Sequence, residues 1–285
     1  MKWIFVFALC SSFSFAQQLE AFKLYNSAGK PVSFEKMMKD LGSKDVILFG
    51  EFHDNPISHW LELEVLLKLN AMKPSATIGL GFEMFELHQK QALSDYISNQ
   101  NYKQLKDTTT LWPNFKTDYK PALDSAIHFG NTAFAANITR KYARLVFKNG
   151  LVALDTLSAE EKQLIAPLPF PFDSTLSQYA ELIKMGKEMH QSGINFALAQ
   201  AIKDATMAHS IATQLKSTST VLFLNGAYHS DFHQGIEWYL KQYTPNTRVG
   251  TISTVSQKEL KQLDKSHHNR ADYILVVNQN MGSTH

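Results

Sequence analysis

The chain has 285 residues, 44% of them hydrophobic and 19% charged, an ordinary globular composition ample for a sizeable core. Its 28 Lys and Arg nearly balance 26 Asp and Glu, for a net charge of +2. That balance argues against a nucleic-acid-binding surface or a highly acidic partner.

Residues 1–16 read as a cleavable signal peptide. Met1 and Lys2 give a positive start, Trp3 to Leu9 are unbroken apolar, and Ser14-Phe15-Ala16 place small residues three and one before a cut. The apolar run is too short to span a bilayer. Cys10, the only cysteine, falls in this segment, so chain 17–285 has no thiol for a disulfide, a metal site or catalysis. Leu9 stands where a lipoprotein signal needs a small residue, which favours simple export over a lipid anchor at Cys10.

Short β-branched or aromatic runs then read as strands at Val46 to Gly50, Thr77 to Phe82, Thr132 to Ala136, Thr220 to Leu224, Arg248 to Thr254 and Tyr273 to Val277. Several are near-continuously apolar, as in buried strands of a mostly parallel sheet. Asn55 caps a helix with Pro56 at its first position and Trp60, Leu63, Leu66 and Leu67 as its apolar set. A second helix runs from about Asn195 to Leu215 on a stripe of Leu198, Ile202, Ala205, Ala208 and Ile211. Residues 100–130 and 155–192 read as helical insertions. In the second, Pro167-Leu168-Pro169-Phe170-Pro171 forbids regular structure and leads into a helical arm from Ser174 to His190. The expected architecture is α/β, a central mostly parallel or mixed sheet flanked by helices. One domain covers 17–280, and 281–285 form a disordered tail.

Polar clusters follow four of the strands: Gly50-Glu51-Phe52-His53-Asp54, Gly81-Phe82-Glu83-Met84-Phe85, Asn137-Ile138-Thr139-Arg140 and Asn225-Gly226-Ala227-Tyr228-His229. Ligands of α/β sheets bind at the carboxyl ends of strands, so Glu51, His53, Glu83, Asn137, Arg140 and His229 are expected in one cleft. Singly, each has a plainer role: a carboxylate at a helix start, a hydrogen-bonded core histidine, a turn asparagine or a surface arginine. Two Gly-x-x-His turns with a strand-end glutamate between them make coincidence the weaker explanation. The set suits a divalent metal held by His53, Glu83 and His229, acid and base catalysis of hydrolysis, or hydrogen bonds to a ligand's carboxylates.

The ordered set resembles the ChaN-like haem-binding proteins, in a superfamily with the Tiki and TraB proteins and the erythromycin esterases. Carrying the resemblance are Gly50 to Pro56 before an amphipathic helix, Glu83-Met84-Phe85, and Asn137-Ile138-Thr139-Arg140 with a later Gly150. Ala199 to Ala208 and Gly226-Ala227-Tyr228-His229 with a later Gly235 complete it. It spans about residues 40 to 240. The resemblance implies an α/β fold with a haem-binding face and a family-motif pocket of Glu51, His53, Glu83, Asn137, Arg140, Asp204, Met207 and His229. It implies haem as cofactor, a homodimer around two stacked haems, a role in iron acquisition, a periplasmic or outer-membrane location and an outer-membrane haem receptor as partner. In that picture a tyrosine holds the iron, tyrosinate suiting ferric haem, and basic side chains hold the propionates. Tyr179, Tyr119 and Tyr228 are the candidates for the iron, with Lys184, Lys187, Met189 and His190 of the arm around the ring. The sequence departs from the family at Ala227-Tyr228, often Gly-Asn, and at Thr139, usually Pro, which bears on ligand geometry.

Two enzymatic readings compete with haem binding. A Tiki-like metal-dependent hydrolase would use Glu51, His53, Glu83 and His229. A metal-independent esterase would use His53 as general base. Neither a His-Glu-x-x-His pair nor a Gly-x-Ser-x-Gly elbow is present.

Overall fold

A computed structural model describes residues 20–285; the proposed signal peptide and Cys10 lie outside the described residues. The strands are β1 (Phe22–Asn26), β2 (Val46–Glu51), β3 (Ile78–Glu86), β4 (Thr132–Asn137), β5 (Thr220–Gly226), β6 (Val249–Gln257) and β7 (Tyr273–Asn278). They form one sheet in the order β1-β7-β6-β2-β5-β3-β4. Its pairs are parallel except β1 with β7. The helices are α1 (Phe34–Leu41), α2 (Pro56–Met72), α3 (Lys90–Asn99), α4 (Tyr102–Thr108), α5 (Lys120–His128), α6 (Arg140–Asn149), α7 (Ala159–Lys162), α8 (Ser177–Glu188), α9 (Gly193–Gln214) and α10 (Ile236–Tyr243).

The six expected strands are present. The short β1, which carries Lys23 among its five residues, is an addition at the sheet's antiparallel edge. Central strands are apolar throughout because both faces are covered. Ile47 and Phe49 of β2 turn to one core with Leu61, Val65 and Leu69 of α2. Val46 and Leu48 turn to the other, with Ile202, Ala205 and Ile211 of α9. The period of two thus divides one strand between two cores. Each such side chain contributes roughly 1.5–3 kcal/mol by its burial.

Asn55 caps α2 as expected, its side chain accepting the N–H groups of Ile57 and Ser58. The inward face differs from the expected one. Trp60 is exposed, whereas Ser58, His59, Leu61 and Glu62 are buried. Polar and apolar residues share the buried face of this helix, so apolar periodicity does not fix its rotation. Hydrogen-bond partners do: Ser58 donates to Thr254 Oγ1 at 3.2 Å, and His59 and Glu62 face one another.

The expected arm is α8, joined tightly to α9. A Cβ on Gly193 would lie 2.2 Å from the Ile183 carbonyl oxygen, so only glycine lets the two backbones touch there. Residues 281–285, read from the sequence as a disordered tail, return to the strand ends. The Thr284 N–H donates to the Asp54 carbonyl at 2.8 Å and its hydroxyl to Asp118 Oδ2 at 2.6 Å.

Candidate functional site

The site forms at the carboxyl ends of β2, β3 and β5, where the loops of a parallel sheet converge. Glu51 and Gly226 end β2 and β5 and are register partners. Glu83 lies in β3 beyond its last regular pair with β4, where the register shifts between Phe82 and Glu86. Such an irregularity re-aims a side chain, and here it accompanies a Glu83 carboxylate turned onto β5.

One hydrogen-bonded chain runs inward from Glu83. Its Oε2 accepts the Gly226 N–H at 2.7 Å and its Oε1 lies 3.1 Å from His229 Nε2. On the far side of the ring, His229 Nδ1 bonds Asp204, and Asp204 Oδ2 accepts the Tyr179 hydroxyl at 2.7 Å. Burial disfavours charge on both Glu83 and His229, but their mutual attraction outweighs it. His229, with His53 and the Gly226 N–H, holds Glu83 down at about 2. Glu83 and Asp204 push His229 up to about 10. The imidazolium is therefore shared between two carboxylates.

A second chain lies across Gly226. His53 Nδ1 bonds Glu51 Oε1 at 2.7 Å, and the Tyr119 hydroxyl donates to the same oxygen. Asp118 and Tyr119 belong to a single π-turn, Phe115–Tyr119, a geometry frequent at functional sites. Glu51 is buried, whereas the His53 side chain remains 43% exposed and meets Trp112 edge-on at 4.6 Å. Against the cost of burial, Glu51 and Glu83 raise His53 above the usual imidazole range. Gly226 separates the chains. A Cβ there would come within 2.7 Å of His53 Nε2 and 3.5 Å of Glu83 Oε2.

Two clefts flank the cluster. One, of about 290 Å³, runs from Glu83 between α6 and α9. Trp112, Phe147 and Phe196 give it apolar walls, and the cations Arg140, Arg144 and Lys203 line it together with the carboxylates of Glu83 and Glu86. Among the described residues these three cations enter no ion pair. The other, of about 740 Å³, is more open and includes His53, His229, His267 and Arg270.

The structure thus brings together Glu51, His53, Glu83, Asp204 and His229. Asn137 joins them, its Nδ2 donating to the Glu83 carbonyl at 3.1 Å, and Arg140 lines the smaller cleft. Met207 does not belong with them: it is wholly buried in the core on α9. The expected metal set of His53, Glu83 and His229 also fails to fit as it stands, because carboxylates occupy both ring nitrogens of His229.

None of the three candidate tyrosines offers a free hydroxyl. Tyr179 is tied to Asp204, Tyr119 to Glu51, and Tyr228 to the Gln178 carbonyl at 2.6 Å. Burial, reinforced by neighbouring carboxylates, raises all three above the usual phenol range, which opposes a tyrosinate. Lys184, Lys187, Met189 and His190 are exposed on α8 and just beyond it. They line neither of these clefts.

Sequence reasoning missed a group behind Glu51. Among the described residues, Glu51, His59 and Glu62 gather their ligand atoms within 4.8 Å of one another. Asn114 and Asp118 stand beside them, Asn114 Nδ2 donating to Asp118 Oδ2 at 2.7 Å. The available signal was the His-x-x-Glu spacing on one turn of α2.

Residues 37–240 match the family described as haem-binding uptake, Tiki superfamily, ChaN. Among solved structures, ChaN of Campylobacter jejuni, described with cofacial haem binding, aligns with a TM-score of 0.67 and 19% identity. The alignment covers 90% of this chain and 96% of that one. A Bacillus cereus protein aligns with a TM-score of 0.50 and 10% identity, over 90% of this chain and 95% of that one. At such identities the likeness is one of fold. No curated protein matches the sequence.

Proposed function

This chain belongs to the haem-binding uptake family of the Tiki superfamily, the ChaN family, and from that premise we propose that it binds haem in the cleft between α6 and α9. The observation that carries the reading is the lining of that cleft. Haem is a flat apolar ring with two carboxylates. Trp112, Phe147 and Phe196 suit the ring, and Arg140, Arg144 and Lys203 suit the carboxylates. The donor set therefore fits the periphery of haem, and these six residues would hold it. Tyr119, Tyr179 and Tyr228 do not fit as iron ligands in this arrangement, since each hydroxyl is engaged elsewhere.

The arm supports a dimeric form of the reading. Met185, Met189 and Ile194 are exposed beside Lys184, Lys187 and His190. Phe196 connects this surface to the cleft: its ring lines the cleft, and a Cβ on Gly186 of α8 would lie 3.5 Å from its own Cβ. A second copy closing on this face would bring two haems together, as the Campylobacter jejuni relative binds haem cofacially. Export through residues 1–16 and a role in iron acquisition with an outer-membrane receptor complete the proposal.

Haemin titration of chain 17–285, followed by visible absorption and a sizing column, tests it. The expected result is a saturable Soret band with a shift from monomer to dimer. Absence of a saturable band above a control protein overturns haem binding, and a band without the shift overturns the dimer.

His53 favours a second reading, metal-independent hydrolysis. A buried carboxylate holds its Nδ1 while the ring stays half-exposed to a cleft, the orientation that a general base requires. Under this reading His53→Ala abolishes hydrolysis of a panel of esters and leaves haem binding intact. Loss of haem binding with the fold preserved would instead place His53 in the haem site.

A further inference from the structure

The group behind Glu51 is short of hydrogen-bond donors. Glu51 Oε1 is satisfied by Tyr119 and His53. Glu51 Oε2 and Glu62 Oε1 are buried without any partner, and the two residues are 2% and 0% exposed. His59 lies between them. Its Nε2 is 3.1 Å from the His53 carbonyl oxygen, which only accepts, so Nε2 carries the hydrogen. In the neutral ring Nδ1 then presents a lone pair. That lone pair stands 2.9 Å from Glu62 Oε2 and 3.8 Å from Glu51 Oε2. Asp118 adds a further carboxylate at 3.6 Å from His59 Nε2.

We propose that Glu51, His59 and Glu62 form a buried divalent-cation site. Three acceptor atoms converge, two of them on carboxylates, and a dication matches their charge without demanding donors the fold lacks. Ligands held about 2.1 Å from a tetrahedral ion stand about 3.4 Å apart, and the separations of 2.9 and 3.8 Å bracket that value. One imidazole with two carboxylates suits zinc, manganese or ferrous iron. The outer partners also match metal-site practice, in which a ligating histidine gives its other N–H to a backbone carbonyl. The competing occupant is a proton, shared by Glu62 and Glu51 or by Glu62 Oε2 and His59 Nδ1, where it would make the 2.9 Å contact an ordinary hydrogen bond. The site is distinct from the haem cleft, and neither proposal depends on the other.

The test is elemental analysis of the full chain after purification without metal-affinity resin, haem iron being counted separately from the Soret band. The expected result is about one equivalent of zinc, manganese or non-haem iron per folded chain. Glu62→Gln should retain less than about a tenth of it, and Glu83→Gln should retain it all. The wild type is also refolded from denaturant with chelator or with each metal, which needs no variant to fold. Metal should raise its denaturation midpoint. Substoichiometric metal in the wild type, with no change of midpoint on refolding with any of the three ions, overturns the proposal in favour of the shared proton. Metal kept by Glu62→Gln but lost by Glu83→Gln overturns it in favour of the strand ends.

Discussion

The strand-end cluster and the helical wall beside it are built on opposite terms. In the cluster, Glu83, His229 and Asp204 are buried and each charge has a fixed partner. In the wall, Arg140, Arg144 and Lys203 line the cleft without ion pairs and share it with aromatic rings. A buried, internally paired cluster has little left to offer a ligand without being taken apart. Unpaired cations beside apolar surface are free to receive one. The deep motif residues Glu83, His229 and Asp204 thus secure the mouth of the sheet, whereas Arg140 and Lys203, from two further motif segments, stand with Arg144 on the wall of the cleft proposed to receive the ligand.

The largest effect expected from breaking this division is at His229. His229→Ala leaves the carboxylates of Glu83 and Asp204 buried without their shared cation, at a cost of about 3–5 kcal/mol, read by urea denaturation. A loss below about 1 kcal/mol would mean that the cluster is not a charged unit. Gly226→Ala comes next. Its Cβ would meet His53 Nε2 at 2.7 Å, and overpacking of this kind costs about 1–3 kcal/mol. It should also alter the His53 titration followed by NMR, whereas an unchanged titration would contradict the tight approach.

A pH profile sharpens the contrast. Glu83 is lowered from 4.5 to about 2, so its contribution is present above about 4.5 and is lost as pH falls toward 2. His229 is raised from 6.5 to about 10, so its contribution is full below about 6.5 and is lost as pH rises through 10. These are two ends of one contact, giving a plateau between about 4.5 and 6.5. Asp204, which burial raises, works in the opposite sense. Glu83→Gln should flatten the acid limb of the midpoint-versus-pH curve and shrink the alkaline limb, which Asp204 also supports; unchanged limbs would assign them elsewhere. The smallest effect belongs to the arm. Met189→Ser should weaken haem-driven dimerisation several-fold on a sizing column without moving the denaturation midpoint, and unchanged dimerisation would remove the arm from the interface.

The sequence disclosed the sheet well because its central strands are continuous apolar runs, and their polar ends marked Glu51, His53, Glu83 and His229. What stayed hidden depended on rotation and distant partners. The α2 pattern pointed Trp60 inward, whereas hydrogen bonding turns Ser58, His59 and Glu62 inward instead. Tyr119, Tyr179 and Tyr228 read as available phenols because their acceptors, Glu51, Asp204 and the Gln178 carbonyl, come from remote segments. The cleft was half visible: Arg140 follows a strand, but Arg144, Phe147 and Lys203 look like ordinary helix residues until α6 and α9 are packed together.

The most direct measurement is a haemin titration of the wild type, an Arg140→Ala/Arg144→Ala double variant and His53→Ala under identical conditions, followed at the Soret band. With haem held in the proposed cleft, the wild type binds saturably, the double variant binds with a roughly 10- to 100-fold weaker affinity, and His53→Ala binds with unchanged affinity. Equal affinity in the double variant and the wild type, or loss of binding in a folded His53→Ala, would contradict that placement.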